Sequence, residues 1–86
     1  MTKIIYDYDY IKSEVVDFLE NDTNWNNVVK LIGWENTTFM AHELYETITD
    51  LYMEGVKGAY STLEEGQEVE YLTIGEYIAT WLDGDF

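Results

Sequence analysis

Cysteine and proline are both absent from this 86-residue chain, and its four cations are all lysine. Without cysteine there is neither a disulfide framework nor a thiolate metal site, so the hydrophobic core must stabilise the fold alone. Without proline, and with no Ser/Gly-rich stretch or visible repeat, nothing marks a linker, and the chain reads as closely spaced elements joined by short turns. No run approaches the roughly 18 apolar residues of a membrane span. Met1 to Asp7 hold only the aliphatic pair Ile4-Ile5 before an acid, so no signal-peptide core is expected and the expected compartment is the cytosol. The scarcest property is positive charge: four lysines against eighteen acids leave a formal net charge of −14. That excludes a direct grip on a phosphate backbone, and anionic membrane surfaces should repel such a chain.

What is present is apolar. At 47% hydrophobic and 16% aromatic residues, the chain carries far more apolar surface than disordered sequences do, so it is expected to fold despite its charge. Its length suits one acidic globular domain, residues 1–86, with tyrosine and tryptophan supplying much of the core.

The apolar spacing predicts four helices. Tyr8, Ile11, Val15, Phe18 and Leu19 recur at three- and four-residue steps over about 8–20. Asn21-Asp22-Thr23-Asn24 then ends one helix and caps the next, which runs from about Asn24 to Ile32, buries Trp25, Val28, Val29 and Ile32, and stops at Gly33. A third helix, capped by Asn36, Thr37 or Thr38, buries Met40, Leu44, Ile48 and Leu51 with Tyr45 and Tyr52. It extends to about Glu54, where Gly55 and Gly58 favour a break. Thr73-Ile74-Gly75-Glu76 fits a capping box for a fourth helix carrying Ile74, Tyr77, Ile78, Trp81 and Leu82 and ending near Gly84. Two segments alternate instead: Ile4, Tyr6, Tyr8 and Tyr10 within residues 3–10, and Val69, Tyr71 and Thr73 within 68–73. The fold class expected is mainly α, a small four-helix domain; the alternative is α+β, with these two segments paired as a two-stranded sheet under helical cover.

Catalytic motifs fail on spacing. His42-Glu43-Leu44-Tyr45-Glu46 has half of H-E-x-x-H, with Glu46 where the second histidine belongs, and His42 is the sole histidine; a solvated helix-surface side chain is the expectation. Asp7-Tyr8-Asp9 opens like a calcium loop, but Ile11, Lys12 and Phe18 occupy the positions that need an oxygen ligand, a glycine and a glutamate. Ser13 and Ser61 lack a G-x-S-x-G elbow, and Gly55-Val56-Lys57-Gly58 lacks phosphate-loop spacing. No catalytic residue, metal site or cofactor is expected, and the chain is not read as an enzyme.

The acids are the remaining signal. Glu43, Glu46, Asp50 and Glu54 follow steps of three, four and four, which places them within an arc of about 80° opposite Tyr45 and Ile48. Their rise of about 4.5–6 Å per step is of the same order as the charge spacing along a nucleic-acid strand. Glu64, Glu65, Glu68 and Glu70 form a second acidic run, Asp17, Glu20, Asp83 and Asp85 add to the bias, and Trp34, in a turn beside Glu35, is the aromatic best placed as an exposed anchor. Solubility needs a net charge of magnitude only about 2–8. The excess points to a partner with a basic surface that normally receives DNA or RNA.

In its small size, acidity, lack of cysteine and lack of catalytic motif, the chain resembles the phage and mobile-element inhibitors that mimic DNA: uracil-DNA glycosylase inhibitors, antirestriction proteins and anti-CRISPR proteins. The resemblance is one of composition and matches no sequence motif of those families. It implies a stoichiometric inhibitor, acting in the host cytosol, that occupies the nucleic-acid groove of a defence nuclease such as a CRISPR-Cas effector. The alternative is a protein-interaction or assembly module that uses an aromatic or apolar patch such as Trp34 and Tyr71, its acidity serving solubility alone.

Overall fold

The computed structural model describes residues 2–82, in the order β1 (Thr2–Ile5), α1 (Tyr8–Leu19), α2 (Asp22–Leu31), α3 (Ala41–Ala59), β2 (Glu68–Tyr71) and α4 (Ile74–Leu82). The domain is mainly α, with four helices, and the two alternating segments do pair, as a small antiparallel sheet. Ile4 stands opposite Val69 and Lys3 opposite Glu70. Because side chains alternate across a strand, Ile4 and Val69 face the helices while Lys3, Ile5, Glu68 and Glu70 face outward.

The strands are shorter than the alternation suggests, because a local cap wins. Asp7 accepts the Tyr10 N–H at 3.1 Å and starts α1 at Tyr8, so Tyr8 and Tyr10 belong to a helix. Tyr6 is the last residue to pair. Its N–H donates to the Gln67 carbonyl at 2.9 Å and its carbonyl accepts from Gly66 N–H at 2.6 Å, two residues opposite one in a G1 bulge. Gly66 also holds the third position of the turn closed by Gln67 N–H to the Glu64 carbonyl, and its φ of +84° is a conformation that suits glycine.

The helix ends follow local chemistry where side chains can reach them. Within the expected cluster Asn21 caps α2, which starts at Asp22, its side chain accepting the Asn24 N–H at 3.1 Å, while Asn24 Nδ2 donates back to the Phe18 carbonyl at 3.0 Å. α2 closes in a Schellman motif: Gly33, at φ +78°, donates to the Lys30 carbonyl and Trp34 N–H to that of Val29. Thr73 accepts the Glu76 N–H at 3.2 Å at the head of α4, as the capping box requires, and its hydroxyl donates to the Glu76 carboxylate at 3.0 Å. α3 departs from expectation at both ends. None of Asn36, Thr37 and Thr38 caps it; Met40 takes that position without a side-chain bond, directly after Phe39, which packs into an aromatic cluster 5.0 Å from Trp34 and 6.1 Å from Trp25.

The core is more aliphatic than the composition suggests. Ile11, Val15 and Leu19 of α1 meet Val28, Leu44, Ile48, Val56, Val69, Ile74 and Ile78; of the aromatic side chains described, only Tyr52 and Tyr77 are buried, and the others form a half-buried or exposed shell. α1 touches all three other helices and packs most extensively on α3. On α3, Leu44, Ile48 and Tyr52 are buried as expected, but Met40 and Leu51 are exposed and Thr49 is buried in their stead, its hydroxyl satisfied by the Tyr45 carbonyl at 2.7 Å. Gly84, expected to end α4, and the side chains of Tyr71, Trp81 and Leu82 lie outside what the structure describes.

Gly55 does not break α3. Tyr52 and Tyr77 meet edge to face at 5.2 Å, Tyr52 donates its hydroxyl to the Leu72 carbonyl at 2.6 Å, and the Tyr77 ring comes so near that a Cβ on Gly55 would sit 1.9 Å from its hydroxyl oxygen. Glycine there is a packing requirement, and α3 runs on to Ala59. A Cβ on Gly58, by contrast, would meet nothing within 4 Å. Opposite responses to one substitution are therefore expected: Gly58→Ala should stabilise the fold by about 0.5–1 kcal/mol through helix propensity, whereas Gly55→Ala should destabilise it by about 1–3 kcal/mol through overpacking. Urea unfolding followed by circular dichroism measures both, and Tyr77→Phe in the Gly55→Ala background should restore part of the loss.

Candidate functional site

The outward face of α3 is the best-defined charged surface. Its buried face, Leu44, Ile48, Tyr52 and Val56, fixes the helix rotation, and Glu43, Glu46, Asp50 and Glu54 consequently emerge on the opposite side, all exposed. Nineteen residues of packed helix hold them in one row. Of the sixteen acids among the described residues, all but Asp7 are exposed. The ion pair seen among those residues is Lys12 Nζ to Glu46 Oε1, at 3.8 Å with both side chains partly in solvent. A pair of that kind contributes about 0–1 kcal/mol, so it hardly offsets the row's charge.

α1 borders one side of the row. Tyr6, Tyr8 and Met53 line an open groove with Asp50, Glu54 and Lys57. Burial pushes the Tyr8 hydroxyl above its ordinary pKa, and the charges of Asp50, Glu46 and Asp9 push it further in the same direction. Lys57, three residues after Glu54, falls on the same arc and is the cation that ends the row. Sequence periodicity could have placed Lys57; Tyr8 and Lys12 could not be placed without knowing that α1 lies against α3.

The second acidic set is divided. Tyr6 lines the groove, and its backbone holds Gly66 and Gln67, so the turn bearing Glu64 and Glu65 lies beside the C-terminal end of the row. Glu68 and Glu70 instead project from the outward face of the sheet, across from Ile5 and Lys3. Trp34 is not an exposed anchor. It is half-buried, its ring against Phe39 and its N–H closing α2, because the Schellman turn folds it back onto the helix it ends. Phe39, the centre of that cluster, carries no periodic signal in the sequence.

His42 is exposed on the first turn of α3. Among the described residues no three of His, Asp and Glu are grouped to hold a metal ion, and no helix is long and apolar enough to cross a membrane. Asp83 and Asp85, part of the acidic bias, and Phe86 lie outside the described residues. No family model, curated protein or solved structure matches the chain.

The Tyr8 environment has a measurable consequence. Folded Tyr8 keeps its proton to higher pH than an unfolded tyrosine, so the stability it contributes is intact below about pH 10. It is lost as pH climbs from there through the raised folded value, since the unfolded chain gives up its proton first. The difference between ultraviolet titrations of the native protein and Tyr8→Phe should place Tyr8 above the ordinary tyrosine value, and Asp50→Asn should lower it.

Proposed function

We propose that the chain is an acidic inhibitor that presents a nucleic-acid-like row of carboxylates to the basic DNA- or RNA-binding groove of another protein, a host defence nuclease of the CRISPR-Cas effector type. The observation that carries this reading is the α3 row: four exposed carboxylates on one rigid helix, with Lys12 the cation paired to it among the described residues. Like charges at these spacings cost the isolated helix a few tenths of a kcal/mol per pair. A partner whose lysines and arginines are built to receive phosphates offsets that repulsion on contact, and steering by the net charge accelerates encounter. Glu64 and Glu65 extend the surface past the end of the helix, while Glu68, Glu70 and Trp34 lie outside this face.

A second reading has one observation in its favour. Met40 is 62% exposed and Leu51 39%, and helical spacing sets both on the flank of α3 adjoining the acids. An interaction module would use this apolar flank and tolerate salt.

The experiment is a pull-down with tagged protein from a bacterial lysate containing defence nucleases, washed at low and high salt with and without competitor duplex DNA. The inhibitor reading expects recovery of a nucleic-acid-binding protein that is released by both salt and DNA. Glu43→Lys, Asp50→Lys and Glu54→Lys combined, with Glu46 kept so that its contact with Lys12 survives, should weaken binding by more than about tenfold. Lys57→Glu, which lengthens the row, should tighten it about twofold to fivefold at low salt. Binding that ignores salt and DNA but is lost in Met40→Ala with Leu51→Ala overturns the inhibitor reading in favour of the module.

A further inference from the structure

On the far side of α1 from Lys12 and the acid row, β1, α1, α3 and the start of α4 meet around a cavity of about 120 Å³. Its inner wall is formed by Ile4, Ile11, Tyr52 and Ile74. Three of these are buried, and the one polar atom among their side chains, the Tyr52 hydroxyl, is already committed to the Leu72 carbonyl. Among the described residues no buried side-chain polar atom lacks a partner, so nothing in this wall calls for water. An apolar inner wall without unmet polar claims is covered most favourably by an apolar group.

The rim differs from the wall. Lys3, Tyr10, Glu14 and Thr73 complete the lining, the Thr73 hydroxyl being bonded to the Glu76 carboxylate; Lys3 and Glu14 are exposed and carry opposite charges, yet neither is ion-paired among the described residues. Lys3 stands across from Glu70 in the strand register without forming a salt bridge to it. The mouth therefore offers a cation and an anion over an apolar interior, in a protein whose surface is otherwise overwhelmingly negative. Size narrows the occupant: an apolar cavity of about 150 Å³ admits benzene, and this one, at 120 Å³, is smaller and suits a branched four-carbon group better than a ring.

We propose that this cavity binds a small zwitterion with a branched aliphatic side chain, a free amino acid of the leucine class, its carboxylate toward Lys3, its ammonium toward Glu14 and its side chain between Ile11, Tyr52 and Ile74. The proposal is independent of the acid row on α3. A ligand with so few atoms binds with a dissociation constant on the order of 1 mM.

The test is a nuclear magnetic resonance titration of the full chain with L-leucine, alongside isovalerate, isoamylamine and L-phenylalanine. Saturable shifts of the Ile4, Ile11, Tyr52 and Ile74 resonances by leucine are expected, with weaker binding of the two half-charged analogues and least of phenylalanine. Lys3→Gln should weaken leucine and isovalerate about fivefold while sparing isoamylamine, and Glu14→Gln should do the reverse. Both substitutions are at exposed positions and leave the core intact, so their effect reports on the rim. Absence of saturable shifts with leucine at tens of millimolar, on the order of ten times the expected constant, overturns the proposal. So does equal binding of all four probes, or binding indifferent to both substitutions.

Discussion

Electrostatic self-repulsion is the constraint under which this fold is built. A net charge of −14 on 86 residues cannot be buried, since an unpaired carboxylate in the interior costs several kcal/mol, and four lysines cannot pair eighteen acids. The fold responds by keeping charged side chains out of the core among the described residues. Among the described residues those buried are aliphatic side chains, two tyrosines and Thr49, and the acids are exposed apart from half-buried Asp7. Attraction must come from burial and packing, with α1 as the element that touches every other helix. Surface charge works against compaction and is tolerated because the core does not depend on it.

Burial of the small sheet rests on one junction. Tyr52 reaches from the middle of α3 to the Leu72 carbonyl, between β2 and α4, and its ring supports Tyr77. Tyr77 in turn leans on the bare backbone of Gly55, so α4 reaches α3 through a tyrosine ring that a side chain at position 55 would displace. The Tyr60 hydroxyl donates to the Glu70 carbonyl and adds a second tie between the end of α3 and β2. A two-stranded sheet is marginal alone. Here it is held by Tyr52 within α3 and Tyr60 at its C-terminal end.

Much of the architecture was legible from residue patterns. The α1 stripe, the Gly33 stop, the Thr73 cap and the alternation of the two strand segments follow from local chemistry that operates wherever the chain goes, whereas the pairing of those segments stands only as the alternative expectation. The candidate site was half legible: helical spacing alone aligns Glu43, Glu46, Asp50 and Glu54. The losses share a cause. Trp34 reads as a turn residue until the Schellman motif folds it onto Phe39, Leu51 reads as core until α3 is rotated to bury Thr49, and Gly55 reads as a helix breaker until Tyr77 is set against it.

The sequence by itself determined that the chain folds around an uncharged core, that its helices and strands lie about where they do, and that one face of α3 is acidic, because composition, capping and periodicity are properties of neighbouring residues. Tertiary structure decided which acids share a surface, which aromatics are withdrawn from it, and that Tyr8 and Lys12 border the row. Those outcomes depend on which helix packs against which, and contacts between residues tens of positions apart leave no periodic trace in the chain.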